Sequence, residues 1–416
     1  MNINIILLIV SLIVIFGYIA EWVFRKTNIP DILFLIVLGF LIGPNVSGII
    51  SPESLDQLAP LFTAFTLLFL MFEGALSIDL KSLAAGIGSG ISIGLFNFLL
   101  SALLISGIFY FLLANVATAL MLGFSLGGIT SAFVIPLLQQ LKVEKKMYSV
   151  LTLESALTDV LAIVLGVTMM EIKTLNVINI RNVLAQISSM FAVAGIVGIA
   201  GGSLWIFLEY TGKLIERDKN YLLTIAYLMV VYFITEYLGG NGAIAALFFG
   251  IALANSDILI FMGRRIHKGK KKIIEESRQS KTRDERVVSN QERRFFHEIS
   301  FFLKTFFFVY IGLLLNLKNL KVIAVGSAIA VTLMLSRTLT GLLTRSYKKP
   351  DRLLINTLFA RGIAPVAIIL IALERQLIDQ QWIVDTVYFV ITATIVLSSL
   401  RVFFYRLRLK ALNREA

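Results

Sequence analysis

Thirteen apolar stretches, separated by short charged segments, leave this chain little choice but to fold in a bilayer. They lie at about 3–23, 32–49, 57–76, 84–112, 115–139, 147–170, 183–208, 220–238, 240–256, 295–316, 321–344, 352–373 and 381–405. Runs of roughly 20 apolar residues match the thickness of a hydrocarbon layer when coiled as helices. Only 15% of the residues are charged, where soluble domains carry about 25%, and the mean hydropathy is +0.86. The sequence therefore predicts an all-α polytopic membrane protein with about 13 transmembrane helices. The first run is read as a retained helix rather than a signal peptide: no basic segment precedes it, and Arg25 and Lys26 follow it. The chain has no cysteine, which excludes disulfides and thiolate metal sites.

The net charge of +12 would suggest nucleic acid in a soluble protein, but here its distribution gives a better explanation. With the N-terminus outside, the cytoplasmic loops collect Arg25 and Lys26, Lys81, the cations at 142–146 and 213–219, the twelve between Arg264 and Arg294, those at 345–352, and those from Arg406 on. The opposite side holds only Lys173, Arg181, Lys318, Lys321 and Arg375. Basic residues concentrate on the cytoplasmic side of membrane proteins. A miscounted span would swap every later loop, so the bias predicts a multi-pass cell-membrane protein, N-terminus outside and C-terminus cytoplasmic. The one long hydrophilic stretch, 257–294, divides an N-terminal membrane half (1–256) from a C-terminal half (295–416). It reads as a solvated basic linker or as a segment that regulates or binds anionic lipid.

Two spans carry interruptions at mid-membrane depth. The fifth contains Gly127-Gly-Ile-Thr-Ser-Ala-Phe-Val-Ile-Pro136, with Gly128 in the pair; the twelfth contains Phe359-Ala-Arg-Gly-Ile-Ala-Pro365, with Gly362. Unwound backbone inside a membrane persists only where it lines a cavity or is buried in protein. Each interruption sits in the middle member of a triplet of spans, 84–170 and 321–405, and the two triplets have opposite orientations. Paired broken helices in inverted repeats mark ion sites in transporters.

The buried charges cluster around these triplets. Asp159 sits mid-span in Thr152-Leu-Glu-Ser-Ala-Leu-Thr-Asp159, and Glu154 lies on the same helix. A carboxylate at the bilayer centre costs several kcal/mol, so such acids serve ion or proton traffic. Helical spacing puts Ser155 and Asp159 on one face and Glu154 and Thr158 on another. The first face offers a small cation a carboxylate and a hydroxyl; the second pairs a structural acid with the Thr158 hydroxyl. Arg337, deep in the eleventh span, needs a partner, for which Glu154 is preferred. Two readings stand for Lys304: snorkelling to the interface, or a displaceable partner for Asp159. Arg361, at the twelfth-span interruption, suits the exposed carbonyls of a half-helix C-terminus. Glu73 is a helix-packing acid or a vestibule group. No nucleophile–base dyad or metal-ligand cluster emerges, which points away from an enzyme.

Taken together, Ile29-Pro-Asp-Ile with Leu38-Gly-Phe-Leu-Ile-Gly-Pro44, Phe72-Glu-Gly-Ala, Gly128-Ile-Thr-Ser, Glu154-Ser-Ala-Leu-Thr-Asp159, Gly240-Asn-Gly-Ala, Phe306-Phe-Phe-Val-Tyr-Ile-Gly312 and Ala360-Arg-Gly362 resemble the monovalent cation/proton antiporter superfamily, in its prokaryotic sodium/proton antiporter branch. The resemblance implies the sodium/proton antiporter fold with two crossed discontinuous helices, and a homodimer whose protomers each have a core ion-translocation domain and a dimerisation domain. It also implies exchange of Na⁺, with Li⁺ as surrogate, for H⁺, and no cofactor beyond these transported ions. Asp159 would take cation or proton in turn, since burial penalises the bare carboxylate. Ser155, Thr158, Thr130 and Ser131 are the candidate oxygen ligands for Na⁺. This chain departs from electroneutral members by having Thr158 where Asn is usual, and by lacking an acid in Phe133-Val-Ile-Pro136, read as the counterpart of their Thr-Asp-Pro. Exchange of K⁺ for H⁺ on the same fold, or a cation channel, are the rival readings.

Overall fold

The computed structural model describes residues 3–27, 29–50, 59–76, 87–141, 143–175, 180–211, 221–257 and 288–415. The α-helices in chain order are α1 (Ile3–Thr27), α2 (Asp31–Ile42), α3 (Ala59–Leu76), α4 (Ile87–Leu113), α5 (Val116–Ser125), α6 (Ser131–Leu141), α7 (Lys145–Leu175) and α8 (Ile180–Thr211). There follow α9 (Tyr221–Tyr237), α10 (Gly242–Ala254), α11 (Asn290–Leu314), α12 (Leu320–Leu339), α13 (Lys349–Thr357), α14 (Ile363–Glu374) and α15 (Gln381–Glu415). Every one of the thirteen apolar stretches carries a helix, and two carry a pair. Seven helices among the described residues are long and apolar enough to cross a membrane unaided. The remainder are shorter, so the number of full crossings does not follow from length alone. The basic stretch at 258–287 lies outside the described residues. Beyond it α11 begins at Asn290, capped reciprocally by Ser289 and Glu292, the Ser289 N–H donating to Glu292 at 2.7 Å and the Glu292 N–H to Ser289 Oγ at 3.1 Å.

The chain forms two compact units. The first comprises Met1–Leu67, Ala85–Val183 and Phe301–Ala416. In it, α2 and α11 pack backbone to backbone. A Cβ on Gly39 would fall 2.0 Å from the Val309 carbonyl oxygen, and one on Gly312 would fall 2.1 Å from that of Ile36. Small residues permit such close approach between membrane helices, where lipid supplies no hydrophobic drive for association. The second unit comprises Leu68–Ala84 and Leu184–Ser300. Its core includes a ring cluster of Phe69, Phe72, Phe249 and Phe296, with centroids 5.2–6.2 Å apart. The Asn241 side chain caps α10 by accepting from the Ile244 N–H at 3.0 Å.

Both interrupted spans lie in the first unit, each between two long helices: α5/α6 between α4 and α7, and α13/α14 between α12 and α15. The first interruption runs from Leu126 to Thr130. Pro136, expected to be part of it, instead lies inside α6; a proline there removes one helical hydrogen bond without ending the helix. The second runs from Leu358 to Gly362. Pro365 sits in the first turn of α14, where a missing N–H costs nothing.

Candidate functional site

The two interruptions touch. The Thr130 N–H donates to the Ala360 carbonyl at 3.1 Å. A Cβ on Gly362 would lie 2.2 Å from Thr130 Oγ1, so only glycine lets the strands meet. Gly128 is constrained in the same way, its Cβ position being 2.6 Å from the Thr158 carbonyl oxygen. Four half-helix ends thus converge, bringing two sets of unsatisfied N–H groups and two of unsatisfied carbonyls.

Asp159, on α7, is 6% exposed and faces the start of α6. Its Oδ2 accepts the Ser131 N–H at 2.9 Å and the Ser131 hydroxyl at 2.7 Å. The N-terminal end of a helix carries partial positive charge and free N–H groups, so it suits an anion. Oδ1 accepts no hydrogen bond among the described residues. At the preceding residue, the Thr158 hydroxyl accepts the Ile129 N–H at 3.0 Å. Thr158 therefore satisfies the interruption's backbone and does not pair with Glu154 as its helical spacing suggested. The Ser155 hydroxyl donates to the Thr152 carbonyl at 3.1 Å, within its own helix.

Arg361 is 1% exposed and reaches across to the other interruption. Its Nη1 donates to the carbonyls of Gly127, at 2.9 Å, and Gly128, and its Nη2 to Ser101 Oγ at 3.2 Å. A cation here answers the negative end of α5. Backbone N–H groups of the second interruption are met from α15: Phe359 donates to Ser398 Oγ at 3.3 Å, and Arg361 to Thr394 Oγ1 at 3.1 Å. Irregular backbone this deep survives because its polar groups find partners.

Beside the crossing, Arg337 and Glu154 form a two-pronged pair: Nη1 meets Oε1, and Nη2 meets Oε2 at 3.0 Å. Arg337 Nε donates to the Ile355 carbonyl at 2.8 Å, so the pair joins α7, α12 and α13. The fork geometry favours arginine over lysine for such a bond. Lys304 does neither thing expected of it. It bonds Asp31, at the start of α2, at 2.7 Å, with both side chains largely buried. A buried ammonium takes the carboxylate within reach, and α2 packs against its own helix. Glu73 belongs to the second unit, where His297 Nδ1 lies 3.5 Å from Oε1.

Sequence reasoning missed Asn97. It lies on α4 one turn beyond Gly94, which packs against Glu154 and Thr158. Asn97 is 1% exposed, and both its amide atoms lack a partner among the described residues. An amide inside an apolar span was the available signal.

Comparison with known proteins agrees with this architecture. A family profile described as the transmembrane sodium/hydrogen exchanger matches residues 10–406. The K(+)/H(+) antiporter NhaP2 of Shewanella oneidensis is 24% identical over 241 residues, covering 55% of this chain and 40% of that protein. The Na(+)/H(+) antiporter 1 of Methanocaldococcus jannaschii is 27% identical over 158 residues, 37% of each chain. The matched region thus spans less than half the length of these curated relatives. The solved structure of the sodium proton antiporter MjNhaP1 from Methanocaldococcus jannaschii, at pH 8, superposes with a TM-score of 0.74 at 20% identity, covering 96% of this chain and 99% of that one. That likeness establishes the antiporter fold. The chain is a multi-span membrane protein and belongs to the sodium/hydrogen exchanger family.

Proposed function

We propose that this protein is a secondary antiporter exchanging Na⁺ for H⁺ across the cell membrane by alternating access. In this reading Asp159 holds the cation or the proton in turn. The observation that carries it is the setting of Asp159: a buried carboxylate at the crossing of two broken helices, with no cationic side chain bonded to it among the described residues. Arg361 is occupied by carbonyls, Arg337 by Glu154 and Lys304 by Asp31. One carboxylate oxygen is held by Ser131 and the other is left for an ion. Hard oxygen donors suit Na⁺ or Li⁺: Asp159 Oδ1, the hydroxyls of Ser131, Thr130, Ser155 and Thr158, and carbonyls of the interruptions. Family membership supports the same ions and a homodimer with the N-terminus outside, which cross-linking and cysteine labelling from each side would check. The first unit, holding both interruptions, is the ion-carrying core in this reading.

Since Lys304 is bound elsewhere, a single carboxylate titrates at the crossing, and we expect one cation for one proton. The test uses liposomes loaded with a proton-sensitive dye under a clamped membrane potential. Adding Na⁺ or Li⁺ should move protons at a rate independent of the potential, and Asp159→Asn should abolish this while remaining folded. Sodium-driven proton movement in Asp159→Asn would refute the assignment. Exchange of K⁺ is the second reading, favoured by the K(+)/H(+) antiporters among the relatives; a response to K⁺ exceeding that to Na⁺ in the same vesicles would establish it.

A further inference from the structure

Away from the crossing, α12, α13 and α15 of the first unit enclose a cavity of about 620 Å³ whose lining includes Asn356, Arg401, Phe404, Tyr405 and Leu407. Its cation differs from three others largely buried in this unit. Arg337, Lys304 and Arg361 each have a carboxylate or several carbonyls. Arg401 donates one bond, from Nη1 to the Asn356 carbonyl at 2.9 Å, and its guanidinium lies 5.4 Å from the Phe359 ring centroid. It makes no ion pair among the described residues. Asp351 acts electrostatically on the neighbouring Tyr405, and is itself acted on by Glu144 as well as by Lys348 and Lys146; it forms no bond to Arg401 among the described residues. Inside the same cavity wall, Asn356 Oδ1 is buried without a partner among the described residues. The outer wall is apolar and open: Phe404 is 61% exposed and Leu407 49%.

A half-buried guanidinium with no acid bonded to it among the described residues, facing an apolar, open-sided cavity of a membrane protein, suits an anion that brings its own hydrocarbon. We propose that this cavity binds an anionic phospholipid. The phosphodiester bonds Arg401, a head-group or glycerol hydroxyl donates to Asn356 Oδ1, and an acyl chain lies along Phe404 and Leu407. Arginine is well matched to phosphate oxygens by its planar fork, and clustered basic residues at a membrane surface attract anionic lipids. A lipid seated here would bear on the second interruption, because Asn356 lies in the last turn of α13 and Phe359 lies within the interruption. The inference stands apart from the ion chemistry at Asp159, and its test needs no transport.

The experiment measures thermal unfolding of the full chain in detergent with phosphatidylglycerol, phosphatidylcholine or inorganic phosphate added. Phosphatidylglycerol should raise the midpoint, and the other two should give less than half that shift. Arg401→Gln should lose more than half of the phosphatidylglycerol shift, whereas Arg406→Gln, an equal loss of charge outside the lining, should keep it. Equal losses in the two variants would mean diffuse attraction only and would overturn the proposal. So would an equal shift from phosphatidylcholine, or full reproduction by inorganic phosphate, which would leave an anion site without a lipid. Should Arg401→Gln fail to fold, Phe404→Ser carries the test, since it keeps the guanidinium and removes the wall for the acyl chain. An undiminished phosphatidylglycerol shift in Phe404→Ser would overturn the proposal.

Discussion

The two interruptions are built alike and charged differently. In each, a long helix that follows the broken span supplies side-chain acceptors to the unwound backbone. At the first, α7 offers the Thr158 hydroxyl to Ile129 and the Asp159 carboxylate to Ser131. At the second, α15 offers the hydroxyls of Ser398 and Thr394 to Phe359 and Arg361. The scaffolds match, yet one acceptor out of four is an acid. The second interruption carries its charge on its own backbone segment, as Arg361, and spends it on the first interruption's carbonyls. A repeated framework therefore holds unlike chemistry. One half positions the acid that an ion can use, and the other half steadies the crossing. Two acids in symmetric places would demand two counter-charges in a region of low dielectric, where unpaired charge is expensive.

Four substitutions test the contrast between the two interruptions. The largest effect on folding is expected from Glu154→Gln. It leaves Arg337 buried without its counter-ion, and stability should fall by about 3–5 kcal/mol, as when one member of a buried pair is removed; chemical denaturation in detergent measures it. Next, Ser131→Ala keeps the backbone N–H on Asp159 but removes the hydroxyl. A hydrogen bond to a charged group is worth about 1.5–3 kcal/mol, so the apparent Na⁺ affinity should weaken at least about tenfold in the vesicle assay. Thr394→Val at the matching place in the second interruption orphans the Arg361 N–H. It should cost about 1–3 kcal/mol of stability and leave Na⁺ affinity unchanged. If Thr394→Val altered affinity as much as Ser131→Ala, the division of labour between the halves would be wrong. The smallest effect is expected from Asn97→Leu. With both amide atoms unpartnered, an apolar side chain of similar size should change stability by less than about 1 kcal/mol or raise it, read by the same denaturation curve.

Much of the fold was legible in the sequence because bilayer thickness and backbone satisfaction permit so few solutions. The thirteen apolar runs each hold a helix, and glycines at 127, 128 and 362 mark where two of them open. Proline was a poorer guide. Pro136 is absorbed within α6, since a helix can lose one N–H bond and continue. At the site, one meeting of charges was legible, that of Arg337 with Glu154, while the partners of Lys304 and Thr158 were not. Helical spacing places side chains on a face of their own helix and says nothing of what another helix brings to it. Lys304 went to Asp31, 273 positions away in sequence, because the backbone contact of Gly39 and Gly312 brings those helices together. Thr158 was read against Glu154 on its own helix, yet its hydroxyl serves the interruption packed across from it. Ser131 holds Asp159 because α6 begins at residue 131, and that boundary is set by the crossing rather than by local propensity.

Exchange of a hydrogen ion for a metal ion on the Asp159 side chain can be tested without vesicles. Purified protein in weakly buffered detergent solution near neutral pH is titrated with NaCl while released protons are followed by an indicator. Release that saturates with Na⁺, grows weaker as Ser131→Ala lowers affinity, and disappears in a folded Asp159→Asn protein is what this structure predicts. Saturable Na⁺ binding with no proton released, or release that persists in Asp159→Asn, would contradict it.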